Sequence, residues 1–470
     1  MHALYQEVAY QRLPAARRVQ LHRRVGERAE VGYGPQVRER AAELAMHFGR
    51  GRDFHRAVRY LQYAGENAFQ RSAHREAAGY WEQALETLAH LPPDRTTLEQ
   101  GVDVRCDLCL ALLPLAQWEQ MLTHLRDAEP LAEGLADQRR LGIVYHRLAN
   151  TLRNRQDYEP ALAYCQRAHA VATALGDVEL QLEVIHETGV LYHNLGDYRQ
   201  AIEYAQQSLT ILQGEPRSQF FGLANPSVII RTFMVLYLSE LGAFADGIAY
   251  GNEALQIAEA VDRLYDRVAA YWRVGSLYVR QGTLHQAIPL LERGMALSQE
   301  ADFPFYYRMA ATYLALAYAL AGRAADALPW LGQIEGNSVV RGEAYLLAGD
   351  VEEAHRLAQQ GLAHARDHKM RGNEARALWL LGEIAMRRDA PDVAQAEARY
   401  QQAMALAEIL GMHPLVAHCH RGLDTLYARI GRREHAYPAL ATAIELYRAM
   451  DMMFWLPQTE AALARVGLEG

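Results

Sequence analysis

Small and apolar residues recur along the chain at intervals of about 40 positions. In each copy a glycine is followed by an aromatic or aliphatic residue and then by a small anchor residue, as in Gly196, Tyr198 and Ala201. The anchors stand at positions 161, 201, 247, 287 and 327, with steps of 40, 46, 40 and 40 residues. A fixed period of this length indicates stacked structural repeats, each one supersecondary unit.

Each period contains two predicted helices. The residues at four and seven positions after an anchor are small or apolar, as with Ala205 and Ser208 after Ala201, and this spacing places them on one helix face. The glycine before each anchor permits the tight turn that ends the preceding helix. No Asn-Gly or Asp-Gly hairpin stands between alternating apolar runs. The pattern predicts an all-α fold, a right-handed α–α superhelix of helical hairpins.

Three segments interrupt the rhythm. Residues 214–227 are rich in Gly, Pro, Ser and Asn, which predicts a loop and explains the 46-residue step. Leu91–Asp94 separates the first part of the chain from the repeats. Gly332–Asn337 precedes an anchor at Ala354, only 27 residues after the previous one. We interpret this last break as a change of superhelical pitch or a seam between two sub-arrays.

Charge is distributed unevenly along the chain. Residues 1–75 carry 14 Arg and 7 Asp or Glu, whereas the remainder carries 34 Lys or Arg and 49 Asp or Glu. The acidic part is a poor phosphate binder. The basic head could contact nucleic acid, an acidic partner or the array itself.

Composition excludes several classes of protein. Half of the residues are apolar and 22% are charged, as in a globular chain. We find no apolar run near the roughly 20 residues that cross a bilayer, and no secretory signal. Four cysteines do not make a disulfide framework, so we expect a cytoplasmic protein with no membrane partner.

The repeats resemble the tetratricopeptide repeat family in a long form of about 40 residues. The series Tyr145, Leu148, Ala149, Tyr158, Ala161 and Ala168 matches the core positions of that family, and so does the next period. The resemblance covers about residues 104–465 and implies a protein-interaction scaffold. Asp424 departs from the pattern, because a small residue is expected there.

The head resembles a second group of proteins. His2–Tyr10, Leu13-Pro14, Arg17-Arg18 and Leu21-His22 are similar to the end of a winged-helix module in bacterial signal-transducing ATPases, which include maltose-activator-type regulators. Ala41–Phe48 continues the likeness. The resemblance implies a sensing arm that works with an ATPase module in cis or in trans. The chain itself has no Gly-x-x-x-x-Gly-Lys-Ser/Thr, so we do not expect it to hydrolyse ATP.

These observations predict four parts. They are a winged-helix remnant at 1–34, a helical adaptor with the first repeats at 35–92, a tetratricopeptide-like array at 93–335, and a second sub-array with a C-terminal cap at 336–470.

Candidate reactive residues have simpler explanations. Cys106 and Cys109 have the spacing of a metal or redox pair, but the further ligands of a zinc site are not visible, so we interpret them as helix packing residues. His364 with His368, and the group of His413, His418 and His420, are interpreted as ordinary helix residues. We predict no catalytic, cofactor or metal site.

A binding surface is the remaining prediction. In this fold the first helices of successive repeats line a concave face, where polar and aromatic side chains bind extended peptides. The candidates there are His146, Asn150, Arg153, Glu183, His186, His193, Asn194, Trp272, Arg273 and Arg280. The alternative is that these are ordinary solvated or packing residues.

We therefore expect a non-catalytic regulatory scaffold that binds a protein or peptide. Two alternatives stay open: a nucleic-acid-binding regulator that uses the basic head, and a stand-alone peptide-binding sensor. Of these, nucleic acid is the partner that the net charge of −8 favours least.

Overall fold

The computed structural model describes residues 13–214, 224–334, 336–388 and 390–468. It divides into two compact units: unit 1 comprises Met1–Arg155 with Gln166–Gly176, and unit 2 comprises Gln156–Cys165 with Asp177–Gly470. No β-strand occurs within the described ranges, and the predicted all-α fold of helical hairpins is confirmed. The head phrase at residues 2–10 and most of the predicted loop at 214–227 lie outside the described residues. The four predicted parts stay a prediction.

Unit 1 consists of helices that alternate with short turns. They are α1 (Ala15–Tyr33), α2 (Ala41–Arg50), α3 (Phe54–Gln70), α4 (His74–Leu88), α5 (Arg95–Leu112), α6 (Trp118–Leu135) and α7 (Gln138–Asn154), with a 3-10 turn at Gly34–Val37. Helix α8 (Tyr158–Leu175) contributes residues to both units.

Unit 2 contains the longer series of hairpins. Its helices are α9 (Val178–Leu195), α10 (Tyr198–Gly214), α11 (Pro226–Leu241), α12 (Phe244–Val261), α13 (Leu264–Gln281), α14 (Leu284–Glu300), α15 (Pro304–Leu320), α16 (Ala324–Leu331), α17 (Ser338–Leu347), α18 (Val351–Asp367), α19 (Arg371–Arg387), α20 (Val393–Leu410), α21 (His413–Arg429), α22 (Arg433–Ala449) and α23 (Leu456–Leu468).

The predicted turn chemistry is present at the helix ends. Gly196 and Gly282 end α9 and α13 in the left-handed conformation, with φ of 91° and 89°. Residues other than glycine rarely adopt this conformation. Asp177 starts α9, because its carboxylate accepts a hydrogen bond from the backbone N–H of Leu180 at 3.1 Å. Local sequence thus fixes where each helix begins and ends.

Small residues form the seams between helices. The predicted anchors Ala161, Ala201 and Ala287 are completely buried. Gly65 of α3 packs directly on the indole of Trp81 of α4, and a Cβ at that glycine would lie 2.5 Å from the indole nitrogen. These residues let the helix backbones approach closely enough for large neighbours to fill the seam.

The first helices of the repeats in unit 2 pack on one another. They are α9, α11, α13, α15, α17, α19 and α21, and we call them the inner helices. The series also returns on itself, because α9 contacts α19 and α11 contacts α21. Gly372 of α19 leaves no room for a side chain beside the Tyr198 hydroxyl, and Gly242 packs against Met450 and Pro414.

The short hairpin of α16 and α17 lies midway along this series. These two helices have 8 and 10 residues, whereas their neighbours have 17. The predicted break at residues 332–337 therefore coincides with a real change in repeat size. Curvature in such arrays follows from the rotation at each repeat, so a shortened repeat alters the path of the inner helices.

The seam at Gly65 generates a stability prediction. We expect Gly65→Ala to destabilise unit 1 by about 1–3 kcal/mol, because the new methyl group must displace the buried Trp81. Gly79→Ala in α4 is the matched control, since nothing lies within 4 Å of its Cβ position. There we expect a gain of up to about 1 kcal/mol from helix propensity. Urea unfolding followed by circular dichroism measures both, and equal stability of Gly65→Ala and wild type would contradict the packing argument.

Candidate ligand-binding cavity in unit 2

The inner helices of unit 2 enclose a narrow cavity with a free volume of about 60 Å³. Five of them, from α13 to α21, contribute charged or aromatic side chains to its wall. These are Arg280, Tyr313, Glu343, Arg376, Trp379 and His418, joined by Trp455 from the segment before α23. The cavity therefore has a mixed aromatic and charged lining inside an otherwise apolar core.

One carboxylate connects three inner helices beside the cavity. Glu240 of α11 is only 6% exposed. Its Oε1 forms an ion pair with Nη2 of Arg280 of α13 at 2.9 Å, and its Oε2 accepts a hydrogen bond from Arg376 of α19. Nη2 of Arg280 also donates to the Tyr313 hydroxyl at 3.1 Å. The ion pair joins residues 136 positions apart and so holds the series of inner helices closed.

Burial and ion pairing shift the pKa of Arg280 in opposite directions. Desolvation lowers the pKa of its guanidinium, but the carboxylate of Glu240 together with Tyr313 and Tyr198 outweighs this effect and leaves the pKa raised above its usual value. Arg280 therefore stays charged at any pH at which the protein is folded.

Glu343 of α17 differs from Glu240. Among the described residues it forms no hydrogen bond and no ion pair. Desolvation, together with the nearby carboxylate of Glu383, raises the pKa of Glu343 to about 7. Glu383 itself accepts a hydrogen bond from the Tyr400 hydroxyl at 2.8 Å. The cavity thus contains one carboxyl group that titrates near neutrality.

His418 of α21 completes the polar part of the wall. Its Nδ1 lies 2.7 Å from the Tyr447 hydroxyl, and its ring packs edge-on against Trp455 with centroids 4.8 Å apart. Burial keeps the pKa of His418 well below 6.5. The imidazole is therefore neutral at physiological pH and adds no charge to the cavity.

The predicted surface residues are divided between the two units. His146, Asn150 and Arg153 lie on α7 in unit 1, where His146 is 6% exposed. The other seven candidates lie on α9 and α13 in unit 2, and of these only Arg280 lines the cavity. Glu183, His186, Trp272 and Arg273 are all buried. Ligand contact by these ten residues stays a prediction.

Three of the candidates meet in one cluster. The guanidinium of Arg273 lies 4.1 Å from the Phe233 ring centroid and 4.9 Å from that of Trp272. His186 packs edge-on against the same Phe233 ring at 5.1 Å. Arg273 also donates to the Thr232 hydroxyl at 3.3 Å. These contacts make the cluster part of the packing between α9, α11 and α13.

His193 and Asn194 lie at the end of α9, away from that cluster. The His193 ring packs beside Tyr237 with centroids 5.0 Å apart, and desolvation lowers the pKa of His193 to about 4.

Sequence reasoning missed Glu240, Glu343, Arg376, Trp379 and His418. A signal for the first of them exists, because Asn194, Glu240 and Arg280 each stand two positions before a turn glycine and therefore occupy equivalent places in three repeats. Their polar character at one repeat position predicts a shared polar layer. Arg376 carries no such signal, since its pairing depends on closure over a long stretch of chain.

Of the candidate reactive residues, the cysteines are in a packing environment, whereas His364 is exposed. Cys106 and Cys109 are buried, and desolvation raises the pKa of Cys106 to about 12, so its thiol is not a thiolate at neutral pH. The His364 and His368 rings lie 4.4 Å apart. Within the described ranges no group of three His, Cys, Asp or Glu side chains could hold a metal ion. None of the helices in those ranges is both long and apolar enough to span a bilayer.

Unit 1 contains a separate basic groove. It has a free volume of about 650 Å³ and is lined by Arg18, Arg50, Arg52, His22, Phe54 and His90. The Phe54 and His90 rings stack with centroids 4.8 Å apart. No carboxylate is part of this wall, so the groove is positively charged.

Residues 140–214 match the family model of the tetratricopeptide repeat. No curated protein matches the chain. Among solved structures, the Rap conjugation gene regulator of plasmid pLS20, in complex with a Phr peptide, is similar in fold. It shares 12% identity with a TM-score of 0.51, over 73% of this chain and 97% of that one.

Two further solved structures have lower TM-scores. A Rap protein complexed with competence and sporulation factor has 15% identity and a TM-score of 0.48, over 87% of this chain and 99% of that one. A signal transduction ATPase with numerous domains from Pyrococcus horikoshii, which has a tetratricopeptide repeat sensor, has 13% identity and a TM-score of 0.38, over 80% of this chain and 53% of that one.

The shared carboxylate generates the second stability prediction. We expect Glu240→Gln to lower the free energy of unfolding of unit 2 by about 1.5–3 kcal/mol, because two guanidinium groups whose side chains are only 14% and 22% exposed lose their counter-charge. Glu253→Gln is the matched control. Its partner Arg231 lies at 2.8 Å, but Glu253 is 56% exposed, so we expect a loss below about 1 kcal/mol.

Denaturant unfolding of the full chain measures both variants. Similar losses of unfolding free energy in Glu240→Gln and Glu253→Gln would show that the closure of unit 2 does not depend on the ion pairs of Glu240.

Proposed function

We propose that this chain, a helical-repeat protein of the tetratricopeptide type, is a non-catalytic regulatory module that binds a protein or peptide partner on the inner helices of unit 2. The observation that carries the proposal is the charged and aromatic cavity at the centre of those helices. Charged groups in an apolar interior destabilise a fold unless they are paired. An unpaired charge there is explained if it pairs with a bound partner. Glu343 has no such pairing among the described residues.

The fold supports the same class of partner. The Rap conjugation gene regulator of plasmid pLS20, which is similar to this chain in fold, was solved with a bound Phr peptide. Helical repeats bind peptides through aromatic anchors and a few directed hydrogen bonds. Trp379 and Trp455 offer aromatic anchors here, and Arg376 offers a charged hydrogen-bond donor.

The proposed regulatory step is a shift between closed and open forms of unit 2. A partner that contacts α13, α17 and α19 together favours the closed form, in which Glu240 holds both arginines. Such a ligand shifts a pre-existing equilibrium by its difference in affinity for the two forms. In the proposed setting, the shift is relayed to an ATPase module in cis or in trans.

Peptide selection tests the binding proposal. A random peptide library displayed on phage is panned against the purified chain, and the affinities of enriched synthetic peptides are measured by calorimetry. We expect Arg376→Ala to weaken these peptides about tenfold or more, because loss of a charge-assisted hydrogen bond costs about 1.5–3 kcal/mol. The matched control is Arg356→Ala, which removes an exposed pair with Glu353 on α18.

Two results would contradict the binding proposal. One is the failure of selection to enrich any peptide that binds the purified chain. The other is equal binding of enriched peptides to Arg376→Ala and to wild type.

A second candidate function rests on the basic groove of unit 1. Arg50 and Arg52 are exposed, form no ion pair among the described residues, and lie beside the stacked rings of Phe54 and His90. Phosphate groups bind to such arginines, and bases stack on aromatic rings. A regulator could therefore contact nucleic acid through unit 1.

The salt dependence of DNA binding tests this second function. We expect Arg50→Ser combined with Arg52→Ser to reduce the slope of log K against log salt by about 2, since each phosphate contact contributes about 0.9. Arg71→Ser is the control, because Arg71 is paired with Glu76 and does not line the groove. No detectable binding of duplex or single-stranded DNA at about 50 mM salt would remove this function.

A further inference from the structure

Glu343 occupies a repeat position that is small or apolar in the four preceding repeats and acidic in the following one, where Glu383 stands 40 residues later. Glu343 stands six residues before the turn glycine Gly349. The same position in the four preceding repeats holds Val190, Leu236, Ser276 and Leu316. Stacking of the repeats therefore requires only a small or apolar residue there, and the carboxylate is not explained by packing.

The neighbouring cations do not neutralise this carboxylate by contact. The charged groups that face Glu343 are Glu383, Arg280, Arg387 and Arg421, with Arg376 and the neutral His418 in the same cavity wall. Arg280 and Arg376 are held by Glu240. Nη1 of Arg387 donates to the Leu346 carbonyl at 3.3 Å, and its Nη2 lies 3.7 Å from Glu383.

Aromatic rings form much of the remaining wall. Tyr313, Trp379 and Trp455 all line the cavity and are 8%, 7% and 6% exposed. The faces of such rings attract cations. The free volume of about 60 Å³ accommodates about four water-sized groups, which matches an ammonium or guanidinium head group with its adjacent carbon atoms.

An anionic ligand fits the cavity less well. Arg280 has two nitrogens without a hydrogen-bond partner, Nε and Nη1, but both atoms are fully buried and present no surface to a molecule in the cavity. Its Nη2 already forms an ion pair with Glu240 and donates a hydrogen bond to the Tyr313 hydroxyl. Among the described charged side chains that line the cavity, only Glu343 has no hydrogen-bond or ion-pair partner.

We infer that Glu343, with Tyr313, Trp379 and Trp455, forms a subsite for a cationic head group, either a primary ammonium or a guanidinium. This inference rests on the proposed function, and it specifies what the partner inserts between the inner helices. A lysine or arginine side chain of a peptide and a free alkylamine share this chemistry.

Binding at this subsite depends on pH in a defined direction. Because the pKa of Glu343 is about 7, the group must lose a proton before it can pair with a cation. At pH 8 the carboxylate is mostly ionised, whereas at pH 6 about nine-tenths of it is protonated. We therefore expect affinity for a cation to fall about tenfold from pH 8 to pH 6.

The experiment uses the full chain and small probes. Binding of n-butylammonium and n-butylguanidinium is measured by tryptophan fluorescence and calorimetry, with n-butanol and butyrate as the neutral and anionic counterparts. We expect saturable binding of the cations, at least tenfold weaker in Glu343→Gln and unchanged in Glu352→Gln, which alters an exposed acid on α18. Glutamine preserves the shape of the protonated side chain, and circular dichroism verifies that the variant is folded.

A second arm distinguishes the source of the cation. Peptides from the selection are resynthesised with each lysine or arginine replaced by norleucine. If replacement of one basic residue lowers the affinity for the wild-type chain tenfold or more, but leaves the affinity for Glu343→Gln unchanged, that side chain of the peptide is the occupant. Unchanged binding of the norleucine peptides, with n-butylammonium still bound, identifies a free amine instead.

Three outcomes would overturn the inference: neither cation binds, butyrate binds in their place, or cation binding is equal in Glu343→Gln and wild type. If neither cation binds while selected peptides still bind, the assignment of the subsite is wrong and the proposed function stands. If the cations bind and no peptide can be selected, the subsite stands and the peptide-binding function is wrong.

Discussion

The closed arrangement of unit 2 depends on one carboxylate that neutralises two guanidinium groups. Glu240 forms ion pairs with Arg280 of a nearby helix and with Arg376, which lies 136 residues further along the chain. Without this counter-charge the two guanidinium groups would remain charged and destabilise unit 2, because desolvation of an unpaired ion is costly. The same interaction therefore fixes the path of the inner helices and the position of the cavity that they enclose.

The close packing of the helices is what makes this arrangement geometrically possible. Small residues at the seams, such as Ala201 and Ala287, bring adjacent helices together, and Gly372 allows α19 to meet the end of α9. A larger residue at these points would separate the helices before the charged groups could meet. The polar interior thus depends on the small residues that recur at the helix seams.

The sequence predicts the first part well and the second part poorly. The anchors, the turn glycines and the helical hairpins follow from local spacing, since each depends on residues within one repeat. The ion pair between Glu240 and Arg376 depends on rotation accumulated over several repeats, including the short hairpin of α16 and α17, and local spacing does not contain that information. Glu343 is intermediate, because alignment on the turn glycines reveals an acid where the four preceding repeats have Val, Leu or Ser.

Hydrogen–deuterium exchange of the chain with and without a selected peptide tests the central claim most directly. If the partner binds between the inner helices and favours the closed form, protection rises together in α11, α13, α17 and α19, which belong to distant parts of the sequence. Protection confined to the second helices of the hairpins, such as α12 and α14, or to unit 1, would place the partner elsewhere and contradict the account.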